Sequence, residues 1–148
     1  LSWTLKTFEQ LSALELYSIL EARTAVFVVE QNCPYQEADG KDLVSRHLYK
    51  EQDGKIACYA RLLPPGVSFK EASIGRVMVH KEYRGRGLGH ELMKEALRIL
   101  SNEETAVKIQ AQEYLNSFYT SYGFKNVSAL YLEDGIPHID MVKRMDEN

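Results

Sequence analysis

Cysteine is scarce in this sequence: of 148 residues only Cys33 and Cys58 carry thiols. Cys33 lies in a proline-flanked loop and Cys58 in a strand-like run. A lone pair of this kind could form a disulfide or a metal fragment, but inert reduced thiols of a cytosolic protein fit better. His47, His80 and His90 stand singly, without a Cys or carboxylate at ligand spacing, so no metal site is expected. Long apolar runs are missing too. No stretch approaches the roughly 20 residues of a membrane-spanning helix, and Leu1 to Lys6 has no basic region leading into an apolar stretch. No membrane partner and a cytoplasmic location are the expectation. Positive charge is not in excess: 18 basic against 21 acidic residues give a net charge of −3, a field that repels polyanions and argues against nucleic-acid binding.

What is present is 45% apolar and 26% charged, with no repeat, low-complexity tract or dividing linker, so one domain spanning 1–148 is expected. Trp3 to Phe8 alternates as a half-buried strand, and Ser12-Ala13-Leu14-Glu15 reads as a capping box opening a helix that runs to about Val28. Leu16, Ile19, Leu20, Val26 and Phe27 share one stripe of that helix, and Arg23 falls in its middle. A buried charge needs a partner, and Glu30 is the candidate on the same side. Residues 31–45 read as a long, acidic loop, more often functional than idle. A hairpin follows, His47 to Glu51 and Lys55 to Leu63 about Asp53-Gly54. Then come a strand at Ser73 to Val79, a helix at His90 to Leu100 and a strand at Val107 to Ala111. Helical Tyr114 to Tyr122 ends at Gly123, and Tyr131 and His138 to Lys143 supply closing strands. The order is mixed α and β, neither doubly wound nor a barrel.

The densest chemical signal is Ile74-Gly75-Arg76-Val77-Met78-Val79 followed by Arg84-Gly85-Arg86-Gly87-Leu88-Gly89 and a helix. Alternate glycines let successive N–H groups turn toward one point, the helix start adds its dipole, and Arg84 and Arg86 add charge: a phosphate cradle. The plainer reading is a glycine-rich turn with two solvated arginines. The run lacks the Gly-Lys-Ser/Thr of a P-loop and the register of a dinucleotide turn, which disfavours ATP and NAD.

On these residues the sequence resembles the GNAT superfamily of acetyl-CoA-dependent N-acetyltransferases. The signature Arg/Gln-x-x-Gly-x-Gly/Ala matches at Arg84, Gly87 and Gly89. A second match is Asn116-Ser117-Phe118-Tyr119-Thr120-Ser121-Tyr122-Gly123-Phe124. Val26 to Tyr35, Asp39 to Leu43 and Glu133 to Ile139 look like the ElaA-type branch. The resemblance implies an α/β (mixed α+β) fold. Its central twisted mixed sheet is mostly antiparallel, splayed between the fourth and fifth strands and flanked by helices.

The resemblance also implies site residues. Backbone groups of Val77, Met78 and Val79 would hold the pantetheine arm of acetyl-CoA, with an N–H near Val77 facing the thioester oxygen. Amides of Arg84, Gly85, Arg86, Gly87, Leu88 and Gly89 would hold the pyrophosphate, and Asn116 would bind the cofactor. Tyr119 would protonate the leaving thiolate, although Tyr114, Phe118 and Tyr122 on the same helix make core packing an alternative. Glu30, His138 and Glu133 are the candidate bases, with structural roles open to each. Phe27, Glu30, Gln31, Arg76 and His138 would line the acceptor side. For Arg76 a buried salt bridge, and for the loop at Glu37 to Asp42 a solvated turn, are equally open. The implied reaction is direct acetyl transfer to a primary amine, small molecule or peptide. The rivals are a non-catalytic acyl-CoA sensor and a transferase using another acyl-CoA. The closing strands offer a surface for a homodimer.

Overall fold

Two antiparallel sheets touch along one short parallel contact and then part. The computed structural model describes residues 2–146. The first sheet runs β1 (Thr4–Thr7), β2 (Arg46–Gln52), β3 (Lys55–Leu63) and β4 (Ser73–Val79) in sequential order. The second is built from β5 (Ala106–Gln112), β6 (Lys125–Asn126), β7 (Tyr131–Glu133) and β8 (Ile136–Arg144), with β8 pairing the other three. Between the sheets, Ala72 bridges Val107 in parallel and Lys108 N–H donates to the Ala72 carbonyl at 2.9 Å. Past that point β4 and β5 form no ladder, which is the expected splay between the fourth and fifth strands.

The register of β4 explains the fork. Met78 stands opposite Tyr59 and Gly75 opposite Arg61, so Arg76 and Val77 together face Ala60 alone. Arg76 takes φ 51°, unusual for a residue with a Cβ. An extra residue on one strand bends it and increases its twist. The far half of β4 thereby swings away from β5. Helix α2 (Leu88–Ser101) covers the sheets with Leu92, Met93, Ala96 and Leu100, and one apolar cluster joins these to Leu62 and Ile74 of the first sheet and Ile109 and Met141 of the second. A second cluster packs Ile19, Val26 and Phe27 on Tyr49, Tyr59 and Met78.

The capping box forms as expected: Ser12 Oγ accepts from Glu15 N–H at 3.1 Å, and Glu15 accepts from Ser12 N–H at 2.8 Å. Helix α1 (Ala13–Arg23) then widens into a π-helical segment, Thr24–Glu30, where i→i+5 bonds such as Gln31 N–H to the Val26 carbonyl at 3.2 Å take over. The helical path therefore runs past Val28, and the wider turn corrects one expectation. Arg23 does not meet Glu30. Helix α3 (Asn116–Thr120) is also shorter than the anticipated Tyr114 to Tyr122, because a tight 3-10 turn, Glu113–Leu115, precedes it.

Arg23 is fully buried and faces the acidic loop instead, bonding Glu37 at 2.6 Å and Asp42 at 2.7 Å. The pairs close a ring. Glu37 meets Arg76 at 2.8 Å, Arg76 meets Asp39 at 3.4 Å, Asp39 meets Arg61 at 2.9 Å, and Arg61 meets Asp42 at 3.0 Å. Three guanidinium groups and three carboxylates alternate, so the loop is pinned to α1, β3 and β4 rather than solvated. Burial opposes ionisation of Asp39 and Asp42, but the arginines outweigh it and hold both carboxyls low, Asp39 to about 2.

Replacing Arg23 by Met should cost about 3–5 kcal/mol in chemical denaturation, because Glu37 and Asp42 would then be buried facing too little positive charge. The depressed Asp39 and Asp42 also set a pH dependence. Their stabilisation is complete above the ordinary aspartate value near 4 and is lost as pH falls through their depressed values, about 2 for Asp39. Denaturation midpoints measured across that window should fall in the parent and by less in the Asp39→Asn variant, where Asp42 alone remains.

Candidate active site

The fork between β4 and β5 opens into a cavity of about 780 Å³. His80 N–H donates to the Ala57 carbonyl at 2.8 Å, so the alternating ladder turns the main chain of Met78 toward β3 and that of Val77 and Val79 toward the gap. Met78 itself packs in the α1 cluster and contributes a wall of the cavity. Of the outward groups, the Val79 carbonyl is already engaged: Arg84 Nε donates to it at 2.9 Å.

Arg84 opens the glycine turn, which places Gly85 and Gly87 at φ 80° and 79° before α2 begins. Side chains rarely adopt that backbone, and here it leads directly into the free N–H groups of the first helical turn at Leu88, Gly89 and His90. The Arg84 guanidinium is bidentate to Glu30, at 2.5 and 3.0 Å. Arg86 turns the other way, over the Tyr83 ring at 5.4 Å. The positive charge at the cradle is therefore mostly main-chain dipole.

Tyr119 lines the cavity and is nearly enclosed, packing edge-on against Phe118 and Phe124 at 5.2 and 5.9 Å between ring centres. Burial pushes its hydroxyl well above the usual tyrosine range, so it keeps its proton, and that hydroxyl meets no protein partner among the described residues. Tyr122 bonds His90 instead and belongs to the aromatic packing. Asn116 is not brought to the cavity. Its amide donates to Asn126 at 2.8 Å and its oxygen accepts from Thr120 at 3.3 Å, tying the start of α3 to β6.

Phe27, Glu30, Gln31, Arg76 and His138 line the same cavity, together with Gln112 and Cys33. His138 Nδ1 lies 2.7 Å from the Ile136 carbonyl, which only accepts, so Nδ1 carries the hydrogen and a neutral ring leaves Nε2 as the lone-pair nitrogen. Stacking on Tyr131 holds the ring in place. Glu30 is a poorer base: its hydrogen bond and ion pair with Arg84 hold its carboxyl below the usual range. Cys33 is buried with Sγ 3.5 Å from the Asp134 carbonyl, and burial pushes the Cys58 thiol up to about 11. Neither resembles an activated nucleophile.

Sequence reasoning passed over Gln112, Arg61 and Ser68, all of which line the cavity. Arg61 left a trace, one charge within the apolar run Ile56–Leu63. Ser68 left none. No group of three or more metal-ligating side chains occurs among the described residues.

A family model described as an acetyltransferase (GNAT) domain matches residues 13–145. The chain belongs to the GNAT family. It is 40% identical to the protein ElaA of Escherichia coli, the match covering 98% of this chain and 97% of that one. A Schizosaccharomyces pombe protein of the UPF0039 group is 43% identical, with 95% of each chain covered. The crystal structure of an acyl-CoA N-acyltransferase from Pseudomonas aeruginosa superposes with a TM-score of 0.89 at 45% identity, covering 97% of this chain and 99% of that one. As a GNAT protein it falls among acyl-CoA-dependent N-acyltransferases, and the fork, the glycine turn and the α2 amides fit an acyl-CoA: a strand-like arm beside β4 and a diphosphate at the helix start.

The Glu30–Arg84 pair partly neutralises the mouth of that GNAT cradle. Glu30→Gln should tighten CoA binding about two- to fivefold in calorimetry, the range expected for removing an exposed carboxylate from a surface pair.

Proposed function

We propose that the protein transfers an acetyl group from acetyl-CoA to a primary amine by direct attack. The observation that carries this reading is the convergence of three groups on one gap: the outward main chain of Val77, the protonated Tyr119 and the lone-pair side of His138, all lining the same cavity.

Each group has a distinct task. An amine attacks only when neutral, so its proton must leave; His138 Nε2 accepts it, directly or through a water. The nitrogen lone pair forms the new bond to the thioester carbon, and negative charge grows on the carbonyl oxygen. The Val77 N–H, fixed by the bulge before it, stabilises that charge, a task worth roughly 3 kcal/mol in comparable sites. The C–S bond then breaks and the leaving sulfur takes the Tyr119 proton. Burial keeps Tyr119 protonated, so a proton is in place beside the sulfur when the C–S bond breaks. Glu30 has no proton-transfer task; it orients Arg84 over the Val79 carbonyl. Asn116 supports the site from behind by holding α3 against β6.

Tyr119→Phe should lower kcat by about 100-fold while the Kd for CoA, read by calorimetry, changes little. Loss of CoA binding together with turnover would instead make Tyr119 a packing residue. His138→Ala should lower kcat/KM and leave its acidic limb set by the amine's own ionisation alone; a profile unchanged in height and position would move the base elsewhere.

A further inference from the structure

One end of the cavity carries more donors than the chain itself uses. The ion-pair ring is neutral, with Arg23, Arg61 and Arg76 balanced by Glu37, Asp39 and Asp42. Lys41 stands outside this balance. Lys41 lines the cavity; its ammonium donates to Ser68 Oγ at 3.1 Å and meets no carboxylate among the described residues. Ser68 in turn retains its own O–H, with no acceptor among those residues.

Arg61 supplies an independent sign. Its side chain is 4% exposed and lines the same cavity, and its Nε is the one buried side-chain nitrogen or oxygen among the described residues that lacks a hydrogen-bond partner. Buried N–H groups are rarely left unpaired, and those that are tend to await a ligand or a water. Lys108, whose ammonium rests over the Phe69 ring at 4.8 Å, adds charge of the same sign behind Phe69.

We infer that the acceptor carries an acidic group near its amine, and that Lys41 and Ser68 receive it beside the buried Arg61 guanidinium. This deepens the reading of the protein as an amine acyltransferase and rests on it. The position fits: Arg61 pairs Gly75, two residues or about 7 Å along the strand from Val77. An amine delivered to the thioester beside Val77 can thus place an acid among these donors across a short carbon chain. A carboxylate suits the site better than a phosphate. Two donors, Lys41 Nζ and Ser68 Oγ, match its two oxygens, and Asp39 in the same wall repels a second negative charge.

The test compares acceptors that share an amine and differ in one group: β-alanine with β-alaninamide, 4-aminobutyrate with its amide, phenylalanine with phenylalaninamide, and 2-aminoethyl phosphate as the phosphate arm. The acids should exceed their amides in kcat/KM by about tenfold or more, as one charge-assisted hydrogen bond allows. Lys41→Gln should bring that ratio close to one, and Lys41→Arg should restore it. Equal ratios in the parent, or a ratio that survives Lys41→Gln, would overturn the proposal. A phosphate acceptor well above every carboxylate would overturn the choice of group. If acetyl-CoA binds and no amine is acylated, the transferase reading fails by itself, and binding of acids and amides to the CoA-loaded protein decides this inference separately. A preference for acids that Lys41→Gln abolishes supports it, and equal binding overturns it.

Discussion

Arg76 joins the two halves of the structure. Its backbone is the extra residue that turns β4 away from β5, and its side chain is a member of the ring that pins the acidic loop. A left-handed residue with a Cβ costs on the order of 1 kcal/mol or more, and it persists where its surroundings over-determine it. Here they do: the guanidinium bonds Glu37 and Asp39 and lies beside the rings of Phe27 and Tyr35, at 6.0 and 5.4 Å. The gap between β4 and β5 and the charged wall beside it are therefore consequences of one residue's conformation. Without the bulge, Val77 and Val79 would spend their outward groups on β5.

The ring also explains why a loop so rich in charge is a wall rather than a mobile flap. Each carboxylate in it answers two arginines, and Arg23, with no exposed surface, is tolerable only because two carboxylates meet it. The wall's polarity is thus largely internal. What remains for a ligand is the surplus at Lys41 and Ser68, beside the buried Arg61.

Much of the cradle was legible from local spacing. Glycines at alternate positions before a helix have few other uses, and the turns at Asp53-Gly54 and Gly123 follow from backbone chemistry that acts within a few residues. The strand Ser73–Val79 and the capping box at Ser12 were legible for the same reason. Tyr119 could be singled out only by resemblance, because an aromatic stripe looks alike whether it packs or reacts; what separates it from Tyr122 is the unpartnered hydroxyl against the cavity.

Partners far apart in the chain were not legible. Arg23 was recognisable as a buried charge in need of a counterion, yet its partners lie 14 and 19 residues on rather than one helical repeat away. The π-helical widening at Thr24 rotates Glu30 toward Arg84, and no periodicity of 3.6 foretells it. Asn116 fits the motif but turns to Asn126, a residue of a strand the sequence pattern did not reveal. By itself the sequence determined what depends on neighbours along the chain: strands, caps, tight turns and the glycine bend before α2. Tertiary structure alone decided which charges neutralise one another and which stay free for a ligand, because Coulomb energy depends on separation in space and on burial, neither of which sequence distance measures.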